Sequence, residues 1–492
     1  MSKKSMHGTS KAKGCSHLGL GNFTRLAADE KAWANTCCGA GPIPQCKAEE
    51  VAAFLGGANG LMWDLTGDQN VDAKNLPAGY TFFAQFLDHD ITLDTTTKLH
   101  GCALNHHEVS ELPNLRSASL DLDCVYGFGP EAHPFMYDES QPGRLAVGNH
   151  ANGVYNPNDL PRNEEGRAMI GDPRNDENLF VSQMQLLWIR FHNRLLIGSN
   201  FEEAQKEARY HYQWIVLHDF LKRVVHPDIY DFAKQKIEEN ACKDPCNRDY
   251  PFCRKELTDP CGRILMPVEF SVAAYRFGHS TVRSSYPVNA DFPNIELFDE
   301  RFGTLGFGQV PPELAVDWRF LLDVHTCPEP TCARAINRFL ADELFRLPDP
   351  VVTSNAFPLD RSLAFRNILR GYVLGLPSGQ TMAKLMDGKG YDIRPLVPED
   401  FTDIKGWECA PKLDGCKLEE NTPLFFYLMH EADLQGGGQT LGTVGSAILM
   451  EVFGAMLLSC NTYLTECKGW KPKACIAYDG EMTLKDIVHF VD

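Results

Sequence analysis

The stretch Leu179 to Leu196, LFVSQMQLLWIRFHNRLL, decides the fold class. Leu179, Met184, Leu187, Phe191 and Leu195 fall close to one helical face, mostly in three- and four-residue steps. The same period continues outward, through Glu202 to Phe220 and Val224 to Ile237, with His226-Pro227 as a break. Pro267 is a good helix start for VEFSVAAYRFGHSTVR. Ser362 to Leu374 and Pro423 to Gln435 read as two further helices. Val444 to Ser459, VGSAILMEVFGAMLLS, carries Glu451 in its middle and is too short to span a bilayer comfortably, so it reads as a buried helix. Alternating strand-like runs are scarce, and neither an internal repeat nor a clean linker divides the chain. At about 150 residues per domain, 492 residues suggest about three domains. The pattern instead predicts a mainly α fold with one large helical domain and little β structure. Long loops rich in Pro, Gly and Asn, His133 to Glu165 and Tyr286 to Pro312, call for a stabilising group such as a metal, a cofactor or disulfides.

Composition narrows the function classes. Hydrophobic residues make up 43% and charged residues 23%, which is ordinary globular usage. The formal charge of −18, without any basic run, disfavours nucleic acid and anionic lipid as partners. The N-terminus, MSKKSMHGTSKAKGCSHLG, has no apolar core region, so no secretory leader is expected and the cytoplasm is the default address. Seventeen cysteines pull the other way and leave export without a leader open. Cys242, Cys246, Cys253 and Cys261 lack the paired spacing of strong zinc motifs, so local disulfides or free thiols are favoured there.

Four segments concentrate chemistry. In FFAQFLDHDITLD, Gln85, Asp88 and His89 stand at i, i+3 and i+4, a polar triplet on one face of an otherwise apolar helix. Such a face wants buried polar partners. His279 in AAYRFGHSTVR follows Gly278, which permits close approach. GDPRNDEN sets Arg174 and Glu177 at the start of the long helix, where the dipole favours an acid, although a plain salt bridge would look the same. SASLDLDCVYG spaces Ser117, Ser119, Asp121 and Asp123 two apart, a pattern compatible with calcium, although a solvated strand edge is favoured for the segment taken alone.

In this order the segments resemble the animal-type haem peroxidases (the peroxidase–cyclooxygenase superfamily), closest to the compact bacterial-type branch. The resemblance runs from about Asn75 to the C-terminus. It is carried by LPAGYTFFAQFLDHDIT, SLDLDCVYGFGP, LPRNEEGRAMIGDPRNDEN, RFHNRLL, RYHYQWIVLHDFL, MPVEFSVAAYRFGHS, RNILRGYVLGLPSGQ and LGTVGSAILMEVF. It implies a peroxidase domain over 71–492 behind an N-terminal extension, 1–70, of unknown role.

The resemblance also implies roles. His89 matches the distal histidine, Gln85 the glutamine that orders distal water or halide, and Arg174 the distal arginine. His279 matches the proximal iron ligand, Asn367 its hydrogen-bond partner, and Arg370 the arginine that pairs with a haem propionate. Asp88 and Glu177 match the carboxylates that form haem esters. Asp90, Ser117, Ser119, Asp121 and Asp123 match a calcium site, Ser119 through its carbonyl. The expected cofactors are haem b, ester-linked, and calcium. The expected activity is reduction of hydrogen peroxide to water through a ferryl haem, with oxidation of small organic donors, halide or thiocyanate. Neutral His89 would take the peroxide proton and return it to the leaving oxygen, Arg174 would stabilise the charge that develops, and Asn367 would strengthen the donation from His279.

Two departures sharpen the reading. Asn178 stands where myeloperoxidase has a methionine linked to haem, so that third bond is ruled out and bromide, iodide, thiocyanate or phenols are preferred over chloride. Arg276 stands where the cyclooxygenases and fatty-acid dioxygenases carry a radical tyrosine, three residues before the proximal histidine. Tyr275, one residue away, is turned about 100° around an α-helix and expected to face elsewhere. The rival readings are a fatty-acid dioxygenase on the same scaffold and a non-enzymatic adhesion or scaffold protein.

Overall fold

The computed structural model describes residues 21–28, 43–64, 71–151, 154–299, 305–324, 329–349, 351–352, 357–413, 415–467, 469–477 and 481–492. The centre of the fold is a pair of helices. α2 (Gly79–Ile91) packs against α3 (Leu179–Leu195), with α1 being Gln45–Gly56. Phe82 stacks on Phe180 at 4.6 Å between ring centroids, and Phe86 on Trp188 at 6.1 Å. These aromatic pairs fix how the polar triplet of α2 meets the N-terminal end of α3. Asn178 caps α3 by accepting the Val181 N–H at 3.0 Å.

The expected run Glu202 to Phe220 is helical throughout, but it changes winding. α4 (Phe201–Ile215) passes into a π-turn over Val216–Phe220. The break at His226 is present, and α5 (Pro227–Ala241) starts with proline in its first turn. The segment after Pro267 departs from a continuous helix. α6 (Val268–Val272) stops at Ala273, whose φ of −125° and ψ of −70° are not helical, and Ala274–His279 continues as a 3₁₀-helix. α7 (Leu363–Val373), capped by Ser362, crosses α1 so closely that a Cβ on Gly56 would stand 2.6 Å from the backbone of Ala364 and Phe365. Glycine is required there.

α8 (Leu424–Gly436) and α9 (Thr443–Leu457) lie in the core, and every residue of α9 is buried. Buried Glu431 of α8 accepts the Val444 and Gly445 N–H groups at 3.0 and 3.2 Å, satisfying donors that a helix start leaves open. Glu451 is buried too, and accepts from Cys253 N–H and the Tyr391 hydroxyl, both at 2.7 Å. Among the described residues no helix is long and apolar enough to cross a membrane. Among the described residues the strands form two-stranded pairs only, so the fold is mainly α, as the sequence pattern predicts.

The described parts of 1–70 are built into the same core. Phe23–Thr24 pairs in parallel with Met266–Pro267, the Arg25 guanidinium reaches the Leu104 and Leu374 carbonyls, and buried Glu269 accepts the Leu26 and Ala27 N–H groups. α1 packs on α7. The rest of 1–70 lies outside the described residues.

An ion pair orders the first long loop. Arg162 has a fully buried side chain and forks onto Asp159 at 2.9 Å and Asp176 at 2.7 Å. It thereby ties the loop to the 3₁₀-turn Pro173–Asp176. Removing one partner strands buried charge, so Arg162→Ala is expected to destabilise by about 3–5 kcal/mol. A shift of the denaturation midpoint to lower urea checks this.

Candidate active site

A cavity of about 400 Å³ lies where α2, the N-cap end of α3, α6, α7 and the 3₁₀-helix Ala274–His279 meet. That is within the range of small-molecule and cofactor pockets. Gln85, Asp88, His89, Arg174, Glu177, Asn178, His279, Asn367 and Arg370, from four separate stretches of chain, all line it. Much of the remaining wall is apolar, including Val268, Val272, Leu297, Phe298 and Val352.

His89 projects from the last turn of α2 and is buried. Its Nδ1 lies 2.8 Å from Asn175 Oδ1, while its Nε2 makes no hydrogen bond among the described residues and stands 3.9 Å from Glu177 Oε1. Burial, and after it the nearby Arg174 charge, brings its pKa down to about 4, so the ring is neutral near pH 7. Arg174 is held rigidly. Its Nε and one terminal nitrogen engage Asp172, and that nitrogen also meets the Thr92 carbonyl at 2.6 Å, at the C-terminal end of α2. The other terminal nitrogen has no hydrogen bond among the described residues, leaving a donor beside the cavity. Burial pushes the Asp172 carboxyl up, but Arg174 and other neighbouring positive groups hold it well below the usual range, so it stays ionised.

Gln85 bridges two neighbours, donating to Glu177 Oε1 and accepting from Asn178 Nδ2 at 3.2 Å. Burial raises the Glu177 carboxyl to about 7 against the opposing pull of Arg174. Asp88 is not a spare carboxylate. It pairs with Arg276 at 3.2 Å and accepts the Thr92 hydroxyl at 3.1 Å.

His279 closes the 3₁₀-helix. Burial, then the charge of Arg276, lowers its pKa to about 3. Asn367 Nδ2 lies 2.8 Å from its Nδ1, and the ring Nε2 has no hydrogen-bond partner among the described residues. Asn367 and Arg370 sit three apart on α7, and Arg370 pairs with Asp94 at 2.8 Å. Arg366 joins Arg370 on the cavity wall, which gives that edge two guanidiniums.

Tyr275 corrects the expectation drawn from α-helical geometry. It lines the cavity, its ring stacked on Phe270 at 4.9 Å, and its hydroxyl is buried without a partner. The break at Ala273 and the tighter 3₁₀ winding invalidate a helical wheel of 100° per residue over this segment.

The carboxylates of Asp90, Asp121 and Asp123 converge, with ligand atoms all within 4.8 Å of one another. Ser117 Oγ donates to Asp121 at 2.9 Å, and Ser119 lies on the same loop. Asp90 also accepts from Leu122 N–H at 3.2 Å and the Tyr212 hydroxyl at 3.1 Å. Burial and the mutual repulsion of the carboxylates raise the pKa values of Asp90 and Asp123. Among the described residues this is the only such group of three or more potential metal ligands, and the cysteines around Cys242 to Cys261 form none.

Sequence reasoning passed over Asp172, Asn175 and the pairing of Asp88 with Arg276. Asp172 had a local signal, as the N-cap before a proline that opens a helical turn. The other two depend on contacts across 86 and 188 residues of chain and had none.

The sequence profile of the animal haem peroxidase family matches residues 98–382, more than half of the chain. The span includes Arg174, His279, Asn367 and Arg370 and begins after α2. Searched by sequence, curated proteins give no match. Among solved structures, peroxidase A from Dictyostelium discoideum superposes with a TM-score of 0.57 at 14% identity, over 95% of this chain and 94% of that one. The fatty acid alpha-dioxygenase of Arabidopsis thaliana gives 0.56 at 16% identity, over 89% and 74%. That of Oryza sativa gives 0.57 at 15% identity, over 96% and 85%. At these identities the structures speak for the fold, and the profile for the family: the chain belongs to the animal haem peroxidases.

Proposed function

We propose that this chain is a haem peroxidase that reduces hydrogen peroxide to water and oxidises small organic donors, bromide, iodide or thiocyanate. One observation carries the reading: two imidazoles, buried His89 and half-buried His279, each without a hydrogen bond at Nε2 among the described residues, line one cavity together with an arginine that keeps a free donor. The donor set fits haem b. His279 Nε2 is an available ligand, Arg366 and Arg370 suit two propionates, and the apolar wall suits a porphyrin face. Iron at Nε2 requires the proton at Nδ1, so the Asn367 amide, whose Nδ2 faces that nitrogen in the structure, would turn over to present its oxygen as the acceptor.

Haem, when bound, supplies the redox chemistry that splits peroxide and withdraws electrons from a donor. The protein's share is proton handling and charge. His89 Nε2, neutral at pH 7, accepts the peroxide proton and hands it to the departing oxygen, so that water leaves. The free arm of Arg174 donates to the oxygen on which charge develops, and Asp172 keeps that arm from swinging away. Gln85, held between Glu177 and Asn178, positions water or halide beside His89. Apolar walls exclude bulk water.

Purified, haem-supplied protein tests the reading. One equivalent of hydrogen peroxide should shift the Soret band, and a phenol or iodide should restore it. A spectrum indifferent to peroxide rejects it.

Asp88 and Glu177 are proposed as the carboxylates that would link to haem methyl groups, each ester requiring its own equivalent of peroxide as the two-electron oxidant, reduced to water. Acid–organic extraction should then remove the colour from fresh protein but leave it on protein pretreated with peroxide. Complete extraction from both would limit the two carboxylates to the ion pair and hydrogen bonds described.

Asp90, Asp121 and Asp123, with Ser117 and the Ser119 carbonyl, are proposed to hold one calcium ion. Three converging carboxylates, of which burial and mutual repulsion raise the pKa of Asp90 and Asp123, are relieved by a divalent cation. Chelation should lower the thermal midpoint and re-addition of calcium restore it; an unchanged midpoint would argue against the ion.

A second reading draws on Tyr275. A cavity-lining phenol without a hydrogen-bond partner, beside an apolar wall, suits a fatty-acid oxygenase. Arg276, at the position expected of the tyrosine, speaks against it. Oxygen uptake with a polyunsaturated fatty acid would favour this reading over the first.

A further inference from the structure

Two amides that stay outside the cavity govern which nitrogen of His89 faces into it. Asn175 and Gln185 are both completely buried and neither lines the cavity. Asn175 Oδ1 meets His89 Nδ1 at 2.8 Å, Asn175 Nδ2 donates to Gln185 Oε1 at 2.8 Å, and Gln185 Nε2 donates to the Cys124 carbonyl at 3.1 Å. The Cys124 carbonyl also accepts the Gly171 N–H at 3.0 Å.

The end of this chain sets its direction. A backbone carbonyl can only accept, so the Gln185 end that meets it must be the NH₂. Gln185 Oε1 then faces Asn175 and demands the Asn175 NH₂, which turns Asn175 Oδ1 to the histidine. An oxygen acceptor at Nδ1 demands that Nδ1 carry the proton. Reversing Gln185 would set its oxygen against the Cys124 carbonyl and its NH₂ against that of Asn175, and reversing Asn175 would set its oxygen against Gln185 Oε1, mismatches that are costly between completely buried groups.

We infer that Asn175 and Gln185 are positioning residues that hold His89 in its Nδ1–H form and so present an unprotonated Nε2 to the cavity. Without them the preference reverses, because Glu177 Oε1, 3.9 Å from Nε2, draws the proton to that side. The inferred tautomer concerns the chain alone. Its consequence for peroxide rests on the peroxidase reading, which needs Nε2 as the base.

The test reads the ring nitrogens directly by NMR, on full-length protein labelled with ¹⁵N-histidine before haem is added. His89 is assigned by the signal lost in His89→Gln. The wild type should show a protonated Nδ1 and a bare Nε2 at His89. Asn175→Leu should move the proton to Nε2 or give a mixture. Gln185→Met, which cuts the chain one step further from the ring, should do the same and serves where Asn175→Leu does not fold. In haem-loaded protein either variant should slow the reaction with peroxide by on the order of 10²-fold, as expected when a base is held in its wrong tautomer. An Nε2–H form in the wild type, or an unchanged Nδ1–H form in both variants, overturns the inference. Failure of haem-loaded wild type to react with peroxide would overturn the peroxidase reading, while an Nδ1–H result would still support the relay.

Discussion

His89→Ala is expected to slow the reaction with hydrogen peroxide by about 10²–10⁴-fold, the usual share of a positioned general base and acid. Haem should remain bound, because His89 projects from α2 while the proposed iron ligand lies on the 3₁₀-helix Ala274–His279. The expectation rests on the absence of a substitute. Glu177 is a cavity acid near His89, but its Oε1 is engaged by Gln85. Asp88 is occupied by Arg276 and Thr92. Stopped-flow absorbance at the Soret band measures the rate. An unchanged second-order constant would remove His89 from the mechanism and favour the oxygenase reading.

His279→Ala is expected to lower haem affinity by more than the roughly 10–100-fold typical of losing a metal ligand's hydrogen-bond partner. It is best measured on protein never exposed to peroxide, where no ester can retain the group. The ratio of Soret to protein absorbance gives the occupancy. Added imidazole should enter the vacated space and restore part of it, since the apolar wall and the two arginines remain. Full occupancy without His279, and a spectrum unchanged by imidazole, would place the ligand elsewhere.

The two variants probe features of unequal visibility in the sequence. α2 and α3 were legible because apolar residues at helical spacing must be buried, and Asn178 caps the start of α3. His89, Arg174 and His279 stood out through the motifs around them, and the structure brings all three to one cavity. The π-turn at Val216–Phe220 and the break at Ala273 were not legible. Both alter the winding while leaving the apolar content of the segment intact, and composition is what a periodicity reading detects.

By itself, then, the sequence determined the mainly α class, the order of the helices, and the residue types that a peroxidase cavity needs, since burial and capping are local demands. Only the tertiary structure decided the partners. It set Arg276 on Asp88, Asp172 on Arg174 and Asn175 on His89, and it brought Tyr275 to the cavity. A hydrogen bond is settled by side-chain direction over a few ångströms, and residues far apart in the chain acquire that geometry only when the helices pack.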